Sequence, residues 1–229
     1  MIKGFVSWSG GKDCCLAAYQ ARKLGIEIVY LLNMVTADGQ RSCGHGIAVQ
    51  WICLQAEALG IPLLQFPTTE DNYQSVFTNA LKELKYDGVT TGVFGDIDFE
   101  PHREWIENTC QPSGITPVLP LWGGNQKQIV RDFLELGFRT KVIATRADLM
   151  GEEWLGRTVD NEFLQDLRDL NKSITPCGEA GEFHTLVIDG PLFKKSLEIR
   201  EAAPQRRSEH WFWDIKKIEL MEKIYGVYS

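Results

Sequence analysis

Short, nearly continuous apolar runs alternate along this chain with segments whose apolar positions recur every three or four residues. Lys3–Trp8, Ile26–Val35, Pro62–Phe66, Gly88–Phe94 and Ile115–Leu121 are runs of the first kind. Such runs suit strands covered on both faces. Asp13–Leu24 reads as a helix between the first two. Ile47, Trp51, Leu54 and Ala58 fall at i, i+4, i+7 and i+11, and Tyr73, Val76, Phe77, Ala80, Leu81 and Leu84 keep the same period. Both segments are therefore predicted as amphipathic helices. Strand and helix alternating in this way, joined by right-handed crossovers, predict an α/β fold with a doubly wound parallel sheet.

The texture changes at Trp122, Gly123 and Gly124. Beyond them come a helix carrying Ile129, Phe133 and Leu136, a strand near Lys141–Thr145, and a Gly-rich acidic stretch. Trp211, Trp213 and Ile215 then alternate with Phe212, Asp214 and Lys216, the period of a half-buried strand. A boundary here divides the chain into residues 1–122 and a smaller α+β domain, residues 123–229.

Composition narrows the class without changing the fold. A chain of 229 residues buries roughly 70% of its unfolded surface, enough for a core without disulfides. Hydrophobic residues at 44% and charged residues at 24% exclude disorder as the main state. Apolar stretches such as Ile26–Val35 are interrupted by Glu27 and Asn33 and fall short of the roughly 20 residues that span a bilayer. The N-terminus carries no signal-peptide pattern. Six cysteines without a C-x-x-C spacing read as reduced thiols, so the expected compartment is the cytoplasm. A net charge of −7 argues against a broad nucleic-acid surface. The short Arg206–Arg207 and Lys216–Lys217 pairs read as solvated faces.

Candidate chemistry begins at Ser7, Trp8, Ser9, Gly10, Gly11, Lys12 and Asp13, where the first strand hands over to the first helix. Two glycines let backbone N–H groups converge, Ser9 adds a hydroxyl, Lys12 adds a cation, and the helix start adds partial positive charge. Together these make a phosphate cradle. The spacing is neither that of a Walker A loop nor that of a dinucleotide fingerprint. The competing view is an ordinary strand-to-helix turn in which Asp13 caps the helix.

Further along, Glu179 and Glu182 sit three apart among glycines, as a pair facing Mg²⁺ or an amine, or else as two solvated acids. Asp96 ends a predicted strand, where open α/β sheets bind ligands, and it is a candidate for Mg²⁺ or an acceptor. Arg103 is a candidate for an anionic group. His45, between Gly44 and Gly46, and His184, beside Phe183, read either as site residues or as structural histidines. Cys177 and Cys14 raise a sulfur-transfer reading, against that of buried inert thiols.

Ser9–Asp13 resembles the pyrophosphate loop of the ATP pyrophosphatase superfamily. Pro176–Thr185 with Asp189–Phe193 resembles the C-terminal signature of the diphthine–ammonia ligase family, and Gln55–Pro62, Phe94–Ile97, Pro120–Trp122 and Leu155–Arg157 agree with it. The chain departs from the usual pattern at Cys14, where relatives carry Ser, and a thiol bonds phosphate less well than a hydroxyl. Arg41–Gly46 is similar to the bacterial branch, which implies an acceptor other than diphthine.

The resemblance implies an adenine nucleotide alpha hydrolase-like (HUP-like) fold and an ATP-dependent amide ligase using ATP and Mg²⁺. An acceptor carboxylate would be adenylated, releasing pyrophosphate, and ammonia or an amine would displace AMP. It places the nucleotide at Ser7, Ser9, Gly10, Gly11, Lys12, Asp13, Cys14, His45 and Gly95, and the metal at Asp13 and Asp96. Substrate falls at Asp96, Arg103, Gly178, Glu179, Gly181 and Glu182, and catalysis at Lys12, Asp13, Glu179, Glu182 and His184. The implied partners are a small-molecule or protein carboxylate and ammonia or an amine; a homodimer is left open. An RNA-modifying or sulfur-transfer enzyme of the same superfamily and a non-catalytic ATP sensor are the rival readings.

Overall fold

The computed structural model describes residues 1–170 and 173–223. Five parallel strands form the first sheet: β1 (Ile2–Ser7), β2 (Ile26–Thr36), β3 (Leu63–Thr68), β4 (Thr91–Val93) and β5 (Thr116–Val118), in the order β3-β2-β1-β4-β5. Helices α1 (Lys12–Lys23), α2 (Val49–Leu59), α3 (Tyr73–Tyr86) and α4 (Glu100–Cys110) connect them. The order reverses at β1, so its carboxyl end opens onto the crevice where such sheets bind ligands.

A second, antiparallel sheet follows, in the order β7-β6-β9-β8. Its strands are β6 (Arg139–Arg146), β7 (Phe183–Asp189), β8 (Lys195–Arg207) and β9 (His210–Glu222). Helices α5 (Gln126–Glu135) and α6 (Asn161–Leu170) accompany it. The α/β sheet and the smaller α+β part thus match the fold class expected from periodicity.

Differences in detail have local causes. β4 and β5 keep only three residues each of the longer apolar runs, because the chain turns away toward α4 and toward Leu121. Ile47 is buried but precedes α2. Helix α4, with Pro101 in its first turn, and helix α6 add to the periodic segments, as do strands β7 and β8. β8 and β9 form a long hairpin with charged positions on both strands, which hides the apolar alternation over most of its length.

Two cores cover the first sheet. On one face Phe5, Leu32, Phe77, Leu81, Phe94 and Ile106 pack together. On the other, Val6, Cys15 and Leu16 share a continuous cluster with Phe133, Phe163, Phe183 and Val187. That shared core fixes β7 against α1 and β1. No helix among the described residues is long and apolar enough to cross a membrane.

Candidate active site

β1 ends at Ser7, and the chain reverses through Trp8–Gly11 into α1. Gly10 is left-handed, with φ +84, and a Cβ there would lie 2.7 Å from Ile52 Cδ1. Gly11 has an ordinary φ of −84, yet its Cβ would lie 2.5 Å from His45 Cε1. Conformation requires the first glycine and proximity the second.

No side chain caps α1, contrary to the view of Asp13 as a cap, so its first N–H groups need other partners. Lys12 N donates to Thr185 Oγ1 at 3.1 Å and Gly11 N to Ser9 Oγ at 3.4 Å. Behind the turn Gln55 is fully buried. It accepts from Trp8 Nε1 at 2.8 Å and donates to the carbonyls of Gly10 at 3.0 Å and Val187 at 2.7 Å. Val187 N also donates to Gly10 O, at 3.0 Å. The loop is therefore held rigid from both sheets.

The turn faces a cavity of about 340 Å³. Of the residues expected there, Ser7, Ser9, Lys12, Asp13, Cys14, His45, Gly95, Asp96, Gly178, Glu179, Gly181 and His184 line it. Gly95 lies so close to α1 that a Cβ would sit 2.8 Å from Cys14 N. Gly178, with φ +70, lets the 176–182 turn fold back over β7.

Lys12 is 4% exposed, too buried to wave at a ligand. Its Nζ lies 2.7 Å from Asp13 Oδ2, bonds the Cys177 carbonyl, and sits 5.5 Å from the Phe183 ring centre. Burial works to lower the Lys12 pKa, but Asp13, with Cys177 and Glu179, carries it above its ordinary value. Burial lifts the Asp13 pKa against the pull of Lys12. Asp13 Oδ1 is buried without a hydrogen-bond partner among the described residues.

Across the cavity Glu179 is pushed up to about 7 by burial first, then by Asp13, with Asp98 and Asp96 adding and Lys12 opposing. A carboxyl titrating near neutrality suits proton transfer. His45 and His184 stack with ring centres 4.5 Å apart. Burial, then the neighbouring ring and Lys12, hold His45 well below its usual range; burial, then Lys12, lower His184 to about 4. Both rings are neutral at pH 7.

Four of the expected residues lie outside the lining. Glu182 is 2% exposed and does not line the cavity. Its Oε1 accepts from Thr175 N at 2.7 Å and its Oε2 from Ala180 N at 2.9 Å, so it braces the turn that presents Glu179. Arg103 lies outside the lining; its Nε donates to Glu107 at 2.9 Å and its guanidinium stacks 5.2 Å from the Trp122 ring centre. Gly10 and Gly11 shape the turn from behind rather than lining it.

Burial pushes Cys177 up to about 12, which leaves it an inert thiol. Burial would raise Cys14 as well, but hydrogen bonds from Cys15 and Ser9 bring it below its ordinary value. Gln55 and Thr185 stood within the matched motifs without a role. A Gln inside an apolar helical stripe was the readable signal for the first.

Known proteins similar to this chain fall in one family over both of its halves. The model of the diphthamide synthase N-terminal domain matches residues 2–117, and that of the C-terminal domain matches residues 125–221. The diphthine–ammonia ligase of Schizosaccharomyces pombe is 30% identical over 221 residues, covering 84% of this chain; the chain spans only 35% of that protein. The human diphthine–ammonia ligase is 27% identical over 93% of this chain and 89% of its own length. A solved chain described as a predicted subunit of tRNA methyltransferase from Methanocaldococcus jannaschii is similar with a TM-score of 0.46 and 19% identity, over 83% of this chain and 98% of that one. With both halves matched in order, the chain belongs to the diphthamide synthase family of ATP-dependent ligases.

Proposed function

We propose that the chain is an amide ligase that activates a carboxylate with ATP and then transfers nitrogen to it. Residues 1–122 hold ATP and residues 123–229 contribute the acceptor side. The acceptor is a small-molecule or protein carboxylate, and the nitrogen comes from ammonia or an amine. The observation that carries the reading is the glycine turn after β1, where Lys12 and the unpartnered Asp13 Oδ1 meet Glu179 across one cavity.

In the first step a carboxylate oxygen attacks the α-phosphorus of ATP. The bond to the β-phosphate breaks and pyrophosphate leaves with its electron pair. The positive end of α1, with Ser9 and the Lys12 cation beside it, stabilises that developing charge. In the second step nitrogen attacks the acyl carbon, its bond to the AMP oxygen breaks, and Glu179 takes the proton released from nitrogen. The stacked, neutral His45 and His184 help wall the intermediate from water.

Asp13 Oδ1 and Asp96 suit Mg²⁺, which takes a few carboxylates and completes its shell with phosphate oxygens and water. No group of three or more His, Cys, Asp or Glu able to hold a metal occurs among the described residues, so the phosphates would have to complete such a shell. Bound there, the ion would neutralise charge on the phosphate tail.

The test uses ATP labelled in the α-phosphate, a panel of carboxylates and ammonium. AMP and pyrophosphate are expected. Lys12→Met should slow their formation by about 10²–10³-fold, the range for losing one preorganised charge-stabilising donor. Formation of ADP and orthophosphate would overturn the reading.

A further inference from the structure

We propose that the groove between residues 41–48 and the β8–β9 hairpin binds a second anionic group of the acceptor, which is then a compound with at least two carboxylates or comparable anions. This rests on the ligase reading above. The groove is lined by Arg41, Gly46, Gln205, Arg207, His210 and Phe212, with Ser208 and Asp214.

Its charge runs against that of the chain, which is −7 overall. Arg207 Nη2 lies 3.1 Å from Asp214 Oδ1, Arg41 Nη2 lies 3.8 Å from the same oxygen, and Lys216 Nζ bonds Oδ2. Three cations therefore share one carboxylate, and two of them, Arg41 and Arg207, line the groove with it, an excess of one positive charge there. The hydrogen bond from Lys216, then the charges of Lys216, Arg207 and Arg41, keep Asp214 ionised below the usual range.

Both guanidinium groups are held in place before any ligand arrives. Arg41 Nη1 donates to Gly46 O at 2.9 Å. Arg207 Nε donates to Gln205 Oε1 at 2.9 Å, and its guanidinium lies 5.2 Å from the Phe212 ring centre. Guanidinium groups fixed this way meet an anion, through the N–H groups that these contacts leave unused, with less ordering cost than free side chains. Gln205, Ser208 and His210 add further polar groups.

Position links this groove to the chemistry. His45 lines the main cavity and also the narrow crevice behind it, and that crevice shares Arg41, Gly46, Phe212 and Asp214 with the groove. The loop even needs glycine where it touches the hairpin, since a Cβ on Gly46 would lie 2.9 Å from Phe212 Cε1. One segment thus borders both sites, so an elongated acceptor can place one carboxylate toward ATP and a second anion on Arg41 and Arg207.

The experiment measures binding of tricarballylate, a small tricarboxylate, by calorimetry with and without α,β-methylene-ATP. Wild type should bind tricarballylate saturably, and Arg207→Gln should weaken it about tenfold, the scale of one charge-assisted hydrogen bond. Arg206→Gln, whose guanidinium lies over Trp211 instead, should leave it within about twofold, as should neither variant's affinity for α,β-methylene-ATP change. Absence of saturable tricarballylate binding, or binding indifferent to Arg207→Gln, overturns the groove. So does Arg207-dependent binding of a tRNA transcript without tricarballylate binding. Failure of wild type to bind α,β-methylene-ATP sinks the ligase reading instead.

Discussion

Replacing Glu179 by Gln removes a carboxyl that the cavity keeps protonated to unusually high pH. Burial, reinforced by Asp13, Asp98 and Asp96, moves it from 4.5 to about 7. Between those values the folded chain binds more protons than the unfolded one, so stability falls as pH rises through that window, and the whole penalty is present above it. Converted in full, the displacement is worth roughly 3 kcal/mol. Glu179 is only half-buried, and screening by solvent reduces this to about 1–2 kcal/mol. At pH 8 Glu179→Gln should therefore be more stable than wild type, with a melting temperature higher by about 4 °C for a chain of this size.

The gain should shrink steadily as the pH is lowered toward 5, because wild type then carries Glu179 protonated when folded and increasingly so when unfolded. Urea denaturation at pH 8, 7, 6 and 5 reads it directly. In the same variant amide formation should fall by about 10²–10⁴-fold, the usual worth of a positioned proton acceptor, while pyrophosphate exchange with ATP survives. A variant that is no more stable than wild type at pH 8, or that is equally stabilised at pH 5 and 8, refutes the account of this carboxyl.

Two further substitutions probe the turn. Gly11→Ala keeps an allowed backbone but drives a methyl to 2.5 Å from His45 Cε1, so it should cost about 1–3 kcal/mol in thermal melts. Gly11→Ala with His45→Ala should recover most of that cost, and no recovery would show that the imidazole is not the obstacle. Gln55→Leu strands Trp8 Nε1 and Val187 O in the core and should cost about 2–4 kcal/mol in urea denaturation. A loss below about 1 kcal/mol, the scale of a tolerated core swap, would mean that the brace is dispensable.

What the sequence revealed depended on how local each constraint was. Gly10 and Gly11 were legible because a strand-to-helix junction with two adjacent glycines and a following Lys and Asp states its chemistry within seven residues. Glu179 and Glu182 were not separable that way. Only the turn shaped by Gly178 and Gly181, at φ +70 and +77, aims one carboxyl at the cavity and ties the other to the amides of Thr175 and Ala180. Arg103 is held by local and distant neighbours at once: Glu107, four residues on, is on the same face of α4, whereas the Trp122 ring beneath its guanidinium comes from beyond β5. Lys12 was rightly placed at the turn, whereas its depth came from Phe183 and Cys177, which are distant in sequence. The basic pair Arg206–Arg207 divides in the same way, since only the hairpin register puts Arg207 beside Asp214 and Arg206 over Trp211.

The phosphate turn also depends on the second sheet. Its first helical N–H rests on Thr185, Gly10 O on the N–H of Val187, and Gln55 ties Gly10 O to Val187 O. Strand β7 therefore supplies His184 and follows directly on the turn carrying Glu179, while also holding the turn that follows β1. In the proposed reaction, preorganisation of the anion cradle and presentation of the proton acceptor are then one structural event. Any displacement of β7 relative to α1 would loosen both together, so on the proposed mechanism a single strand would couple the nucleotide half of the reaction to the nitrogen half.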